Sequence, residues 1–96
     1  MADRPAAIPT ILVDDERVRV TRWDFAPGAE TGWHTHELDY VVTPITDMRM
    51  MLQEPGGVER ILETPLGQSY RRSCGVEHNV INAGEAPMAF VEVELK

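Results

Sequence analysis

The chain has three histidines, and their spacing sets the chemistry to consider first. His34 and His36 stand one residue apart after a glycine-containing approach, Gly28-Ala29-Glu30-Thr31-Gly32-Trp33. In extended backbone, side chains two positions apart share a face, so the two imidazoles project together and make half of a metal site. His78 lies in a second patterned stretch with Gly67, Ser73, Gly75 and Asn82. If both stretches line one cavity, all three imidazoles meet there. Such a donor set suits a divalent first-row transition metal such as Fe, Ni, Zn or Mn, with nitrogens about 2.0–2.3 Å from the ion. Taken alone, a His-x-His pair is more often two ordinary imidazoles than a ligand pair, and the third histidine is what changes that balance.

These residues need strands to hold them. Residues 10–13, Thr-Ile-Leu-Val, form a short β-branched run after a lead, residues 1–9, in which Pro5 and Pro9 exclude an ordinary helix. Residues 18–25 alternate, but Val18 and Val20 fall on one face and Trp23 and Phe25 on the other. A β-bulge near Thr21 or Arg22 would bring them to a single buried face; without it, Trp23 and Phe25 would face outward and mark an interface. After the histidines, Leu38, Tyr40 and Val42 keep the facing of His34 and His36, so Tyr40 is expected to point where the ligands do. Met48, Met50 and Leu52 alternate in the next strand, and Glu54-Pro55-Gly56-Gly57 turns it back into residues 58–63. Residues 68–72 and 76–82 follow. The last strand, residues 87–95, places Ala89, Val91, Val93 and Leu95 on one face and Glu92 and Glu94 on the other, which reads as apolar side in and acidic side out. Short strands separated by turn residues predict an all-β, small antiparallel sandwich or barrel.

Other side chains carry weaker signals. Tyr40 is the candidate catalytic residue, orienting a bound water or substrate, against the plainer reading of a core aromatic. Arg71 and Arg72 are adjacent, so one should face the interior, where it would grip a carboxylate as a bidentate pair. Met48, Met50 and Met51 read as core filler rather than soft ligands. Cys74 reads as a small buried thiol with no activating partner nearby. Asn82 reads as structural, bonding local backbone at a turn. Gly28, Gly32 and Gly75 are expected where the chain needs sharp turns.

Gly28, His34 and His36, then Gly67, Gly75, His78 and Asn82, resemble the two motifs of the cupin superfamily at the family's spacing. The pattern departs in three places: Tyr40 or Val41 stands where the family has its Glu ligand, Ser73 replaces a Pro, and Asp47 replaces the Gly that closes the first motif. Within the superfamily the chain is similar to short single-domain cupins assigned to β-alanine degradation, through FAPGAETGWH, GVEHNVINAG and FVEVELK. The resemblance covers residues 10–96 and implies a jelly-roll β-barrel, a three-histidine metal site, and amino-acid or carboxylate catabolism. Small cupins of this kind commonly add an N-terminal strand to a partner's sheet, so the resemblance also implies a homodimer.

Length and charge bound the remaining choices. At 96 residues the chain makes one domain, divided here into the 1–9 lead and the 10–96 barrel, and its high surface-to-volume ratio favours assembly. The β-branched run at residues 10–13 would be an exposed edge unless a second copy covered it; the competing reading is a monomer whose first strand folds back and whose Trp23 is internal. A net charge of −7 argues against nucleic acid as a partner. No long apolar run predicts a membrane helix, and Asp3 and Arg4 do not suit a secretory signal. The single Cys74 suits a reducing cytoplasm. Two functional readings remain. One is a metal-dependent enzyme of dioxygenase or isomerase type acting on a small organic acid. The other is a non-catalytic module that binds a metal or small ligand.

Overall fold

The computed structural model describes residues 3–96. Nine strands, β1 (Ile8–Asp14), β2 (Val18–Phe25), β3 (His34–Thr35), β4 (Asp39–Pro44), β5 (Met48–Glu54), β6 (Val58–Thr64), β7 (Tyr70–Arg72), β8 (Glu77–Asn82) and β9 (Met88–Leu95), account for the regular structure among the described residues. They form a five-stranded sheet in the order β1-β2-β9-β4-β7 and a four-stranded sheet in the order β3-β8-β5-β6. Every named strand pairing is antiparallel. No helix among the described residues is long and apolar enough to cross a membrane.

The two sheets face each other across a core of Phe25, Tyr40, Val42, Met48, Met50, Leu52, Val80, Met88 and Phe90. Met48 and Met50 are core residues, as their alternation predicted. Asn82 locks the turn end of the barrel. Its Nδ2 donates to the Ala86 carbonyl at 2.9 Å and to those of Phe25 and Ala26 at 3.3 Å, while Gly84 N–H donates to its Oδ1 at 3.0 Å. A buried side-chain amide that satisfies three carbonyls cannot be replaced by an apolar group without orphaning them.

Several expectations need correction. The first strand begins at Ile8, not Thr10, because Pro9 is tolerated on an edge strand whose donors are not all needed. Just before it, Ala7 is buried and its N–H donates to Glu30 O at 2.8 Å. Of the 1–9 lead, Met1 and Ala2 lie outside the described residues. β2 pairs with β9 in unbroken register, so it has no bulge; the register shift falls in β1, between Ile11 and Val13. Trp23 and Phe25 nevertheless face inward, and it is Val18 and Val20 that take the outer face, half-buried. Trp23 and Phe25 therefore form no outward apolar patch. In β9 the inner face is Met88, Phe90, Glu92 and Glu94, the reverse of the expected orientation. Cys74 is exposed, on the turn between β7 and β8, where its N–H donates to Asp39 Oδ1 at 2.8 Å.

Candidate metal centre

The histidines arrive through backbone geometry that only glycine adopts without strain. Gly32, at φ 87°, turns the chain into β3, and Gly75, at φ 94°, makes the corner before β8. β3 is only two residues long, with His34 opposite His78 in register. His36 lies just beyond it and is held by backbone bonds instead: its N–H donates to Val76 O at 2.8 Å, and its carbonyl accepts from Gly75 N–H at 2.7 Å. Both stretches therefore meet on the same wall of the barrel.

There the three Nε2 atoms converge. Those of His34 and His36 are 3.0 Å apart, those of His36 and His78 are 3.1 Å apart, and one donor atom from each ring lies within 4.8 Å of the others. His34 Nδ1 lies 2.9 Å from the Gly32 carbonyl, which can only accept, so in the neutral ring Nδ1 carries the proton and Nε2 is left as the donor lone pair. His36 Nε2 carries at most one proton, so at most one of the two short approaches is an N–H···N hydrogen bond. A shared cation removes that conflict. Nitrogens about 2.1 Å from one ion lie about 3.0 Å apart when adjacent in an octahedron and about 3.4 Å apart in a tetrahedron. Both observed spacings match adjacent corners of an octahedron better than those of a tetrahedron, and with all three donors inside 4.8 Å the residues fit a metal.

Electrostatics favour the same state. Burial, then the neighbouring His34 and Arg72, pushes the His36 imidazole down to about 4. Burial, then His34, His36 and two arginines, pushes His78 down to about 3. Both rings are neutral bases over the physiological range, as metal ligands must be. Support comes from Asn79, next to His78 in the chain. Its Oδ1 accepts from Gly32 N–H at 2.9 Å, and its Nδ2 donates to Glu30 Oε1 at 2.7 Å and Gln53 Oε1 at 3.0 Å. This buried amide holds the turn that delivers His34. Sequence reasoning passed over it, although a polar side chain beside the third histidine was a usable signal.

The histidines open on a cavity of about 420 Å³ between the sheets. Tyr40 lines it, as its facing predicted, and its ring stacks on His36 with centroids 3.8 Å apart. Its hydroxyl is buried without a partner, and burial raises its pKa well above the ordinary phenol value, so it stays protonated. Of the two arginines, Arg72 lines the cavity while Arg71 faces out and pairs with Asp39 at 3.0 Å. Cross-strand register explains the arrangement. Arg19, Glu94, Tyr40 and Arg72 form one row across the inner face of the five-stranded sheet. Thr21, Glu92, Val42 and Tyr70 form the next. Glu92 and Arg19 were not among the candidate site residues. The signal for Glu92 was present in the β9 alternation but was assigned to the wrong face.

A two-sheet antiparallel barrel with three histidines on its inner wall, positioned so that they could hold a metal, defines a cupin type of site. The chain belongs to the cupin superfamily. It is 53% identical, over 96 residues and the full length of both chains, to a protein of Pseudomonas aeruginosa named Beta-alanine degradation protein BauB. A crystal structure of a cupin domain from Bordetella pertussis Tohama I is 50% identical, with a TM-score of 0.96, covering 100% of this chain and 99% of that one. The fold is also shared with the polyketide cyclase RemF of Streptomyces resistomycificus, at 21% identity and a TM-score of 0.73, over 98% of this chain and 70% of that one. No protein-family model matches the chain.

Proposed function

We propose that this protein is a metal-dependent enzyme of dioxygenase or isomerase type that acts on a small organic acid. The observation that carries the reading is the meeting of three Nε2 donors, two of them on imidazoles held neutral, in the same cavity as the Arg72 guanidinium. His34, His36 and His78 would hold a divalent first-row ion. Bound there without a carboxylate ligand, the ion supplies Lewis acidity toward an anionic oxygen of the substrate. Arg72 binds the substrate carboxylate through its planar fork. Tyr40, fixed by stacking on His36, offers its hydroxyl to the bound acid. The name of the Pseudomonas aeruginosa relative supports a place in β-alanine degradation. The test is metal content of protein purified from its own source, followed by a turnover screen of small carboxylates beginning with β-alanine and three-carbon acids. One ion per chain with turnover supports the enzyme; one ion per chain with no turnover favours the binding module.

The proposed assembly is a homodimer, in the cytoplasm, where the exposed free thiol of Cys74 would stay reduced. With Trp23 and Phe25 internal, the interface rests on β1 alone. All seven of its residues are exposed, including Ile8 at 63%, Ile11 at 61% and Leu12 at 52%. β1 pairs only with β2, which leaves its other edge free for a two-fold mate. Light scattering that finds single-chain mass across the micromolar range would refute it.

A further inference from the structure

The metal reading leaves one charged group of the cavity unused. Glu92 is 8% exposed, stands between Thr21 of β2 and Val42 of β4 in register, and lines the same cavity as the histidines. Its neighbours are accounted for otherwise: Glu94, on its own strand, pairs with Arg19 of β2 at 3.7 Å, and Tyr40 of β4 and Tyr70 and Arg72 of β7 face the same space. No side-chain hydrogen bond or ion pair among the described residues holds its carboxyl, and burial, then Glu94, pushes it up to about 7. A buried carboxyl without a partner is costly, and a Leu or Met would fill the same place more stably. Two polar atoms of this inner face are fully buried without partners, Tyr40 Oη and Trp23 Nε1, as is His78 Nδ1 on the histidine wall. Trp23 lies opposite Phe90, one row further in than Glu92. A carboxyl, a phenol and an indole N–H on one wall call for a ligand with polar atoms of its own.

We infer that Glu92 is the group that moves a proton on the substrate, and that the substrate is a small oxo acid with a C–H bond next to its carbonyl. The inference rests on the proposed metal site, which holds the acid on the opposite wall. A Glu92 carboxylate oxygen takes the proton as the C–H bond breaks. The electron pair of that bond becomes the new carbon–carbon double bond, and the carbonyl π pair moves to oxygen. The protonated Glu92 then returns a proton to that carbon, on either face, as the oxygen's pair re-forms the carbonyl and the carbon–carbon π pair takes the proton. Atoms and electrons balance without an oxidant, so the step belongs to the isomerase branch. A carboxyl poised near neutrality both accepts and returns a proton efficiently.

The experiment uses the full chain and two readouts. The first is infrared spectroscopy of metal-free and zinc-loaded protein between about pH 6.5 and about pH 9, where a protonated carboxyl band should fade as pH rises and be missing in Glu92→Gln. The second is proton NMR in heavy water with zinc-loaded and metal-free protein and three probes, pyruvate, 2-oxobutanoate and levulinate. Wild type should exchange the protons beside the carbonyl of at least one probe. Glu92→Gln should slow that exchange by about 100-fold or more, and Glu92→Asp by less, with zinc stoichiometry unchanged by calorimetry. A Glu92→Gln protein that exchanges at the wild-type rate, a wild type that exchanges none of the probes, or a carboxyl band that survives in Glu92→Gln overturns the assignment. Zinc binding with exchange indifferent to Glu92 sinks the proton role and leaves the metal site standing. Exchange that depends on Glu92 but not on zinc supports the proton role and sinks the metal site.

Discussion

The two walls of the cavity are built on different principles. The histidine wall, on β3 and β8, is positioned mainly by local bonds: Gly32 O accepts from the His34 ring, Val76 O accepts from the His36 backbone N–H and the Asn79 amide holds the turn, while His78 Nδ1 is buried without a partner. The facing wall, on β2, β9, β4 and β7, carries Tyr40, Arg72 and Glu92, placed by cross-strand register, with the Tyr40 hydroxyl and the Glu92 carboxyl unpartnered. Locked donors suit an ion whose coordination tolerates little error. Unpartnered polar groups suit a ligand that supplies the missing partners, and they cost stability until it arrives.

Substitutions should therefore cost metal on the first wall and leave it intact on the second. The largest expected effect is that of His78→Ala, which removes a donor and should lower zinc affinity by more than about 100-fold in calorimetry. Asn79→Ala should follow with a loss of about 10-fold to 100-fold, because the turn before His34 loosens while all three donors remain. If Asn79→Ala leaves affinity unchanged, the locking is not needed and the contrast between the walls weakens.

On the opposite wall the expected changes are in stability and pH dependence. The folded Glu92 carboxyl titrates at about 7, above its ordinary value of 4.5, so between those values the folded chain keeps a proton that the unfolded chain releases. Stability from this group is complete below pH 4.5 and falls as pH rises through 7. Glu92→Gln should accordingly match wild type near about pH 4 and exceed it by on the order of 2 kcal/mol near about pH 8, read from denaturant unfolding of metal-free protein. The histidine wall has the opposite sign. His36 and His78 titrate below 6.5, so metal-free protein loses stability as pH falls from 6.5 through about 4. The two windows overlap between 4.5 and 6.5 with opposite sign, so the walls are separated by difference: Glu92→Gln should remove the falling limb and leave the histidine limb, which rises with pH up to 6.5.

The smallest effect should be that of Tyr40→Phe. Its hydroxyl has no partner to lose and is buried at a cost, so stability should rise, by no more than about 1 kcal/mol, and zinc stoichiometry should hold, while affinity for a bound carboxylate falls. Loss of zinc in this variant would make Tyr40 a ligand and merge the two walls.

What could be read from the chain alone was whatever depends on neighbouring residues. Two imidazoles one residue apart share a face, Gly32 and Gly75 allow the turns that aim them, and Asn82 caps a turn close to it in sequence, so the all-β class and the three histidines were legible. Which side of a strand lies inside was not legible for β2 and β9. The alternation Ala89, Val91, Val93 against Phe90, Glu92, Glu94 fixes two faces but does not say which one the other sheet will cover. The usual preference buries the apolar face, and it fails here because the interior is not filled: it holds a cavity lined by charged side chains. The same holds for Trp23 and Phe25, which reach the core without a bulge because Val18 and Val20 take the outer face of β2. Only the pairing of β9 with both β2 and β4 decided that Glu92 would stand in the same cavity as the histidines, because strand order is set by the whole sheet and not by any one strand's sequence.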